Sequence, residues 1–251
     1  MLVLCDGMNR SGSTWSFNVV LRLLRSCDPD RRTFGIYSED PAVIAAAAGP
    51  RSSHVVVKRH TLDPSTSELC RTGAIKAIYT WRDPYDVVVS ASRMFGFPLE
   101  LSIAYLQECL RVWSFHRETN SACIVSYDTI MKRPLAGISS IAAHLAIPAE
   151  PKLVSQIAEE VSFRNVKRFS QHVDRLDPQR IVRGNGTVYD RETLLHQNHI
   201  RHGGAGYGIK SLNERQLCSI DGLLQESGFA FLCRPSRSTT PLWATASAGE
   251  A

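Results

Sequence analysis

The stretch GMNRSGSTW (7–15) follows the apolar run MLVLC and leads into FNVVLRLLR. Gly7 and Gly12 have the spacing of a phosphate-binding loop, which reads G, four residues, G, K and then S or T. A threonine completes that pattern, but Ser13 stands where the lysine belongs, and the cation of the loop is Arg10. A strand, a glycine loop and a helix in this order place a helix N-terminus where it receives an anion. The stretch therefore predicts a phosphate-binding turn without the usual lysine.

The donors that remain in this loop are mostly uncharged. Backbone N–H groups from Ser11 to Trp15 and the hydroxyls of Ser13 and Thr14 can surround a phosphate-like group. The pattern lacks the lysine that reaches a γ-phosphate, and it shows no acidic partner for Mg²⁺. We therefore expect an anionic donor other than ATP, held by Arg10 and the loop.

The rest of the chain alternates apolar β-branched runs with helical patterns. Strands are predicted at 1–7, 54–60, 74–82 and 122–128. Helices are predicted at 13–25, from Asp83-Pro84 onward, and at 99–118, 135–145, 152–160 and 212–226. The polar segment 168–198 is interpreted as irregular cover of an active site. This order predicts an α/β fold of three layers: a central, mostly parallel sheet flanked by helices, as in phosphate-loop nucleotide hydrolases.

Composition excludes several classes of protein. Residues 1–233 are predicted to form one domain, and the tail 234–251, rich in Ser, Thr and Ala, is predicted to be disordered. Seven scattered cysteines without a CxxC indicate reduced thiols in a cytoplasmic protein and no metal site. The net charge of +5 comes without a dense basic stripe, which disfavours a nucleic-acid partner. No apolar run is long enough to span a membrane, and the sequence leaves the oligomeric state open.

A second motif, WRDPYDVVVSASRMF, begins with Arg82 at a predicted strand end and places Ser90 on the following helix. An arginine fork and a helical hydroxyl at this spacing can converge on a phosphate. Together with the loop around Arg10, the motif predicts a ligand that is anionic at two ends.

The two motifs together resemble the sulfotransferase superfamily, whose donor is 3′-phosphoadenylyl sulfate (PAPS) and whose product is adenosine 3′,5′-bisphosphate (PAP). GMNRSGSTW resembles the 5′-phosphosulfate loop of that family, and the resemblance implies that Trp15 stacks on adenine. YTWRDPYDVVVS resembles the 3′-phosphate segment. The resemblance covers roughly residues 2–228.

Three further motifs follow in the family's order. VVVKRH resembles the strand that ends in lysine, any residue, histidine, which implies Lys58 as a charge stabiliser and His60 as the catalytic base. VSFRNVK resembles the stretch near adenine and carries Phe163 over. IRHGGAGYG resembles the late loop that clamps the 3′-phosphate. It implies Arg201 and Gly203 as ligands, with His202 in place of the family's lysine.

The resemblance implies a PAPS-dependent sulfotransferase that acts without a metal on a hydroxyl of a small molecule, lipid or sugar. Arg10, Lys58 and His60 would be the catalytic residues. Two alternatives stay open from the sequence: a phosphate-loop kinase of small molecules, and a non-catalytic nucleotide-binding module. The missing loop lysine disfavours the first, and the presence of Arg10, Lys58 and His60 disfavours the second.

Overall fold

The central sheet has five parallel strands in the spatial order β2-β3-β1-β4-β5. The computed structural model describes residues 1–48, 52–184, 187–198, 204 and 206–229. The sheet strands are β1 (Leu2–Gly7), β2 (Thr33–Tyr37), β3 (His54–Lys58), β4 (Lys76–Trp81) and β5 (Ala122–Ser126), and a separate antiparallel hairpin is formed by β6 (Ile181–Gly184) and β7 (Thr187–Asp190). The predicted tail and the domain boundary at 233 lie outside the described residues.

Helices pack on both faces of the sheet. They are α1 (Ser13–Cys27), α2 (Pro41–Ala48), α3 (Pro64–Arg71), α4 (Pro84–Phe95), α5 (Leu99–Thr119), α6 (Tyr127–Lys132), α7 (Pro134–His144), α8 (Pro151–Glu160), α9 (Phe163–Ser170), α10 (Gly208–Ser211) and α11 (Glu214–Glu226). Within the part of the chain that the structure describes, no helix is both long and apolar enough to cross a membrane.

Side chains of β1 alternate between two apolar cores, as the period of two in a strand requires. Leu2 and Leu4 face a core shared with α4, α5 and α11, whereas Val3 and Cys5 face a core shared with α1, α7 and α8. Helices on both faces of a parallel sheet confirm the predicted three-layer α/β fold.

The elements differ from the sequence prediction in several places, and the helices α2, α3, α6, α9 and α10 were not predicted. The edge strand β2 was not predicted, because TFGIY is short and is interrupted by Gly35, which lies directly on Phe17. The predicted strand 122–128 ends at Ser126, whose hydroxyl accepts the Thr129 N–H at 3.0 Å and so starts α6. The segment 168–198 was predicted to be irregular, but it contains the end of α9 and the β6–β7 hairpin.

Parallel strands bring their carboxyl ends to one edge of the sheet, and β1 lies between β3 and β4 at the point where the strand order reverses. Ligands of open α/β sheets bind in the crevice outside this edge. Gly7, Lys58 and Trp81 are the last residues of these three strands. The predicted phosphate loop, the KRH motif and Arg82 therefore leave the sheet side by side.

The N-cap predicted at Asp83 is confirmed, since its carboxylate accepts the N–H of Tyr85 and Pro84 takes the first helical position. The first residue of α10, Gly208, lies directly against the helix that this cap starts. A Cβ on Gly208 would lie 2.2 Å from the carbonyl carbon of Tyr85 and 2.4 Å from the amide nitrogen of Asp86. This contact thus requires a residue without a side chain.

We expect Gly208→Ala to lower the free energy of unfolding by about 1–3 kcal/mol, the usual range for overpacking, because the clash is with backbone atoms. Gly222→Ala is the matched control. It lies within α11, its Cβ would meet no described atom within 4 Å, and it should stabilise by about 0.5–1 kcal/mol. Urea unfolding of both variants measures the difference, and equal effects would contradict the close contact.

Candidate active site

Ser11 stabilises the turn between β1 and α1 and does not bind a ligand directly. The Ser11 hydroxyl donates to the carbonyl of Met8 (2.6 Å) or Thr80 (2.9 Å), and its amide donates to Met8 O (3.2 Å). The Trp15 amide donates to Gly12 O at 2.8 Å. Two of the donors predicted for the ligand, the amides of Ser11 and Trp15, are therefore used within the protein.

Three amides of this turn remain available. The N–H groups of Gly12, Ser13 and Thr14 have no acceptor among the described residues. Arg10 (φ 68°) and Gly12 (φ 103°) adopt left-handed conformations, which turn successive amides toward one side. In the described residues, α1 has neither a side-chain N-cap nor an acid in its first turn, so its positive dipole end stays uncompensated. This is the arrangement that binds an anion.

These amides open into a cavity of about 2210 Å³, which we call the central cavity. Pockets for one small ligand usually measure about 300–1,000 Å³, so the central cavity has room for two. Its lining includes most of the predicted site residues that the structure describes: Arg10, Gly12, Ser13, Thr14, Trp15, Lys58, His60, Arg82, Ser90 and Phe163. The fold thus brings together motifs from β1, β3, β4 and α9, whereas Ser11 lies beneath the loop.

Arg10 is in contact with both Ser90 and Arg82. The Arg10 Nε donates to Ser90 Oγ at 3.1 Å, and the Arg10 carbonyl accepts from Arg82 at 3.4 Å. Arg10 thus contacts both residues that the sequence pairs at the 3′-phosphate, and its guanidinium extends from the loop toward α4. All three residues line the central cavity.

Arg82 is held by contacts on several sides. Its guanidinium donates to Gly204 O and lies 3.3 Å from the Asp86 carboxylate, and it stacks over the Tyr127 ring with its Cζ 4.2 Å from the centroid. Its Nε has no acceptor among the described residues. The predicted ligands Arg201, His202 and Gly203 lie outside the described residues, but Gly204, which follows them, is in contact with Arg82.

Asp86 is the fully buried anchor of this region. Its two carboxylate oxygens accept the amides of Gly208 (2.7 Å) and Gly206 (2.8 Å). The sequence motif included Asp86 without assigning it a role, because the glycines whose amides it accepts are more than a hundred residues away in the chain. It joins α4 to the segment that precedes α10.

Lys58 and His60 are in direct contact at the end of β3. The Lys58 Nζ lies 3.2 Å from His60 Nε2, and His60 Nδ1 lies 2.8 Å from the carbonyl of Gly7. A carbonyl only accepts, so the proton of the neutral imidazole is on Nδ1 and Nε2 carries the lone pair. Nε2 is thus the atom that can accept a proton.

Both groups titrate far from their ordinary ranges. Burial, followed by the nearby Lys58 charge, lowers the pKa of His60 to about 4. Burial also lowers the pKa of Lys58 to about 8, although Glu39 opposes this shift. At neutral pH the imidazole is therefore neutral and the lysine is largely charged, as a base and a charge stabiliser require. Such perturbed groups in a cleft are typical of functional sites.

Sequence reasoning missed several residues that face this pair. Glu39 and Tyr37 reach it from the unrecognised strand β2 and line the central cavity. His196 also lines the cavity, stacks on Tyr189 at 5.0 Å between centroids, and has its pKa lowered to about 4 by burial and by Lys58 and Arg10. His54, the first residue of β3, lies at the opposite edge of the sheet beside Met1 and Asp28. Recognising β2 as a strand would have found Glu39.

One wall of the central cavity is aromatic. Phe97 stacks on Tyr105 with 5.7 Å between centroids and 7° between planes, and Phe95 lies 5.4 Å from Phe97. Phe95 and Tyr105 are each 46% exposed, so this row presents an apolar surface to the cavity.

Among the described residues, no group of three or more His, Cys, Asp or Glu side chains could hold a metal ion.

We expect Asp86→Asn to lower the free energy of unfolding by about 3 kcal/mol or more, because it leaves the buried Arg82 charge without its partner. Asp128→Asn is the control, since Asp128 pairs with Lys132 on the surface and such pairs contribute about 0–1 kcal/mol. Chemical denaturation measures both. A cost for Asp86→Asn no larger than for Asp128→Asn would rule out the anchoring role.

The comparisons with known proteins agree with this geometry at the level of structure. No protein-family model matches the chain, and no curated protein matches it. Retinol dehydratase, in complexes with androsterone and PAP and with retinol and PAP, superposes with a TM-score of 0.58 at 17% identity over 90% of this chain and 80% of the other. Mouse sulfotransferase SULT7A1 with PAP gives a TM-score of 0.62 at 16% identity over 90% and 83%. The predicted resemblance is confirmed in the fold: the chain has the sulfotransferase fold.

Proposed function

We propose that this protein transfers a sulfuryl group from PAPS to a hydroxyl of a small-molecule acceptor. One observation carries the proposal: the three available amides at the start of α1 line the same cavity as the Lys58–His60 pair and the Arg10–Ser90–Arg82 cluster. The fold supports it, since the neighbouring structures hold PAP.

The donor would lie along the carboxyl edge of the sheet. The amides of Gly12, Ser13 and Thr14 bind the 5′-phosphate, and Arg82 with Ser90 and Arg10 binds the 3′-phosphate. Adenine lies against Trp15 and Phe163, which both line the cavity. The sequence resemblance adds Arg201, His202 and Gly203 as ligands of the 3′-phosphate. They precede Gly204, whose carbonyl contacts Arg82.

The transfer follows from the charges of the site. The acceptor oxygen attacks sulfur, its proton passes to His60 Nε2, and the bond from sulfur to the 5′-phosphate oxygen breaks with its electron pair left on the phosphate. The loop amides stabilise that leaving phosphate, and Lys58 neutralises the transferring group. Lys58 leaves His60 Nε2 when the anionic sulfuryl group attracts its ammonium, which frees Nε2 for the acceptor hydroxyl.

The acceptor proposed here has an apolar body. The row of Phe95, Phe97 and Tyr105 lines the central cavity, and Met94 and Leu101 extend it. Retinol dehydratase binds retinol and androsterone, which are molecules of this chemical kind. A hydroxyl on a flat apolar skeleton fits the aromatic row better than a sugar does, because rings stack and apolar surface is removed from water.

The donor assignment predicts a selective loss in Arg82→Ala. PAP binding should weaken by about 1.5–3 kcal/mol, the scale of a lost charged hydrogen bond, whereas adenylyl sulfate, which lacks the 3′-phosphate, should bind nearly as before. Calorimetry with both ligands measures this difference. Equal losses would show that Arg82 only holds the loop. Tight binding of ATP that depends on Mg²⁺ in the wild-type protein would favour a kinase instead.

The base assignment predicts that His60→Ala lowers kcat by about 10²–10⁴-fold and leaves PAP affinity nearly unchanged. A base contacts the acceptor's proton and not the nucleotide. A phenol with an electron-withdrawing group ionises with less help, so it should be less sensitive to the loss of His60 than an alkyl alcohol. Turnover of both acceptors by both enzymes tests this. Wild-type turnover of the alkyl alcohol by His60→Ala would exclude His60 as the base.

A further inference from the structure

We propose that Glu39 is a positioning residue of this site: its carboxylate holds the strand end that carries Lys58 and His60 and supplies the negative charge that faces Lys58. The inference deepens the proposed function and rests on it. It begins from a carboxylate at the end of β2 that no sequence motif singled out and that lines the central cavity.

The Glu39 carboxylate collects hydrogen bonds from the chain just beyond Lys58. Oε1 accepts the backbone N–H of His60 at 2.9 Å. Oε2 accepts the hydroxyl of Thr61 at 2.6 Å and its backbone N–H at 3.2 Å. An ionised carboxylate offers acceptors only, which is what these donors require. Burial alone would raise the pKa of Glu39, but the hydrogen bonds from Thr61 and Tyr37 outweigh it, and the net pKa is lowered.

Glu39 also acts on Lys58 through Tyr37. The Tyr37 hydroxyl donates to Glu39 Oε1 at 2.9 Å, and the Lys58 ammonium lies 5.1 Å from the centroid of the Tyr37 ring. An ammonium at this distance from an aromatic ring is attracted to it. The same carboxylate therefore fixes the backbone of His60 and the ring that supports Lys58.

Arg59 explains why the fold should survive the loss of the Glu39 charge. Its buried guanidinium lies 3.7 Å from Glu39 Oε2, but it is also 3.2 Å from the Asp63 carboxylate and donates to Thr66. Asp63 stays ionised with a pKa held below its usual range despite burial, chiefly by hydrogen bonds from Ser65 and Thr66. Arg59 thus keeps a negative partner in Glu39→Gln.

The titratable groups that interact with Lys58 come from several elements. They are Glu39 just after β2, Cys5 and Asp6 in β1, Arg10 in the phosphate loop, His60 just after β3 and His196 after the hairpin. Burial raises the pKa of the Cys5 thiol, which is therefore uncharged. After burial, Glu39 is the largest influence on the pKa of Lys58, and it raises that pKa. Removing its charge therefore lowers the pKa of Lys58 below about 8, and Lys58 loses its proton at a lower pH.

The test is the pH dependence of kcat/KM for the donor, which reports groups of the free enzyme. Lys58 must be charged, so wild-type kcat/KM should fall above about pH 8. In Glu39→Gln this decline should move to lower pH by about one unit. The ratio of the variant's kcat/KM to that of wild type should therefore be roughly tenfold lower above the decline than below it. Glu108→Gln is the matched control. Glu108 also lines the cavity but is paired with Arg111, and its decline should stay in place.

A readout without turnover separates this inference from the proposed function. NMR titration of the Lys58 side chain in wild type, Glu39→Gln and Glu108→Gln should show a lower pKa for Lys58 in Glu39→Gln alone. An absence of sulfuryl transfer by the wild-type protein would defeat the proposed function, while the titration still decides the role of Glu39. An unshifted Lys58 titration overturns the inference. A second outcome also overturns it. If Glu39→Gln loses turnover of an alkyl alcohol equally at every pH but keeps turnover of an acidic phenol, Glu39 itself accepts the acceptor's proton.

Discussion

The close approach of the phosphate loop to Thr80 is the constraint on which the site depends. A Cβ on Gly7 would lie 2.2 Å from Thr80 Oγ1 and 2.6 Å from its carbonyl oxygen. The Met8 amide donates to that same carbonyl at 2.9 Å, and the Ser11 hydroxyl lies 2.8 Å from Thr80 Oγ1. These contacts bind the loop to β4. They direct the start of α1 toward the cavity and place the Gly7 carbonyl against His60.

Internal carboxylates hold the cations of the site in place. Asp86 holds Arg82, and Glu39 holds the strand end that bears Lys58. Each carboxylate also accepts backbone amides, so its charge is used for position as well as for pairing. A ligand with phosphates at both ends would add negative charge beside Lys58, His60 and His196. The pKa of each would rise, since an opposite charge favours the protonated form.

Much of the fold was predictable because its signals are local. The apolar runs of β1, β3 and β4 and the Asp83-Pro84 cap each depend on neighbouring residues, and all are confirmed. The edge strand β2 was missed because it is stabilised by pairing with β3 and by the contact of Gly35 with Phe17, neither of which leaves a pattern in TFGIY. The hairpin was missed for a similar reason, since Arg180 and Asp190 join it across ten residues.

The sequence by itself determined which chemical groups meet at the carboxyl edge of the sheet. The glycine spacing, the KRH strand end and the WRDP motif are local patterns, and parallel strands must bring their ends together. Only the tertiary structure decided which donors stay available to a ligand. Ser11 bonds to Thr80, Arg10 reaches Ser90, and Glu39 and Asp86 fix their cations. The physical reason is that every donor has several possible acceptors, and residues distant in the chain decide which of them lies within hydrogen-bonding distance.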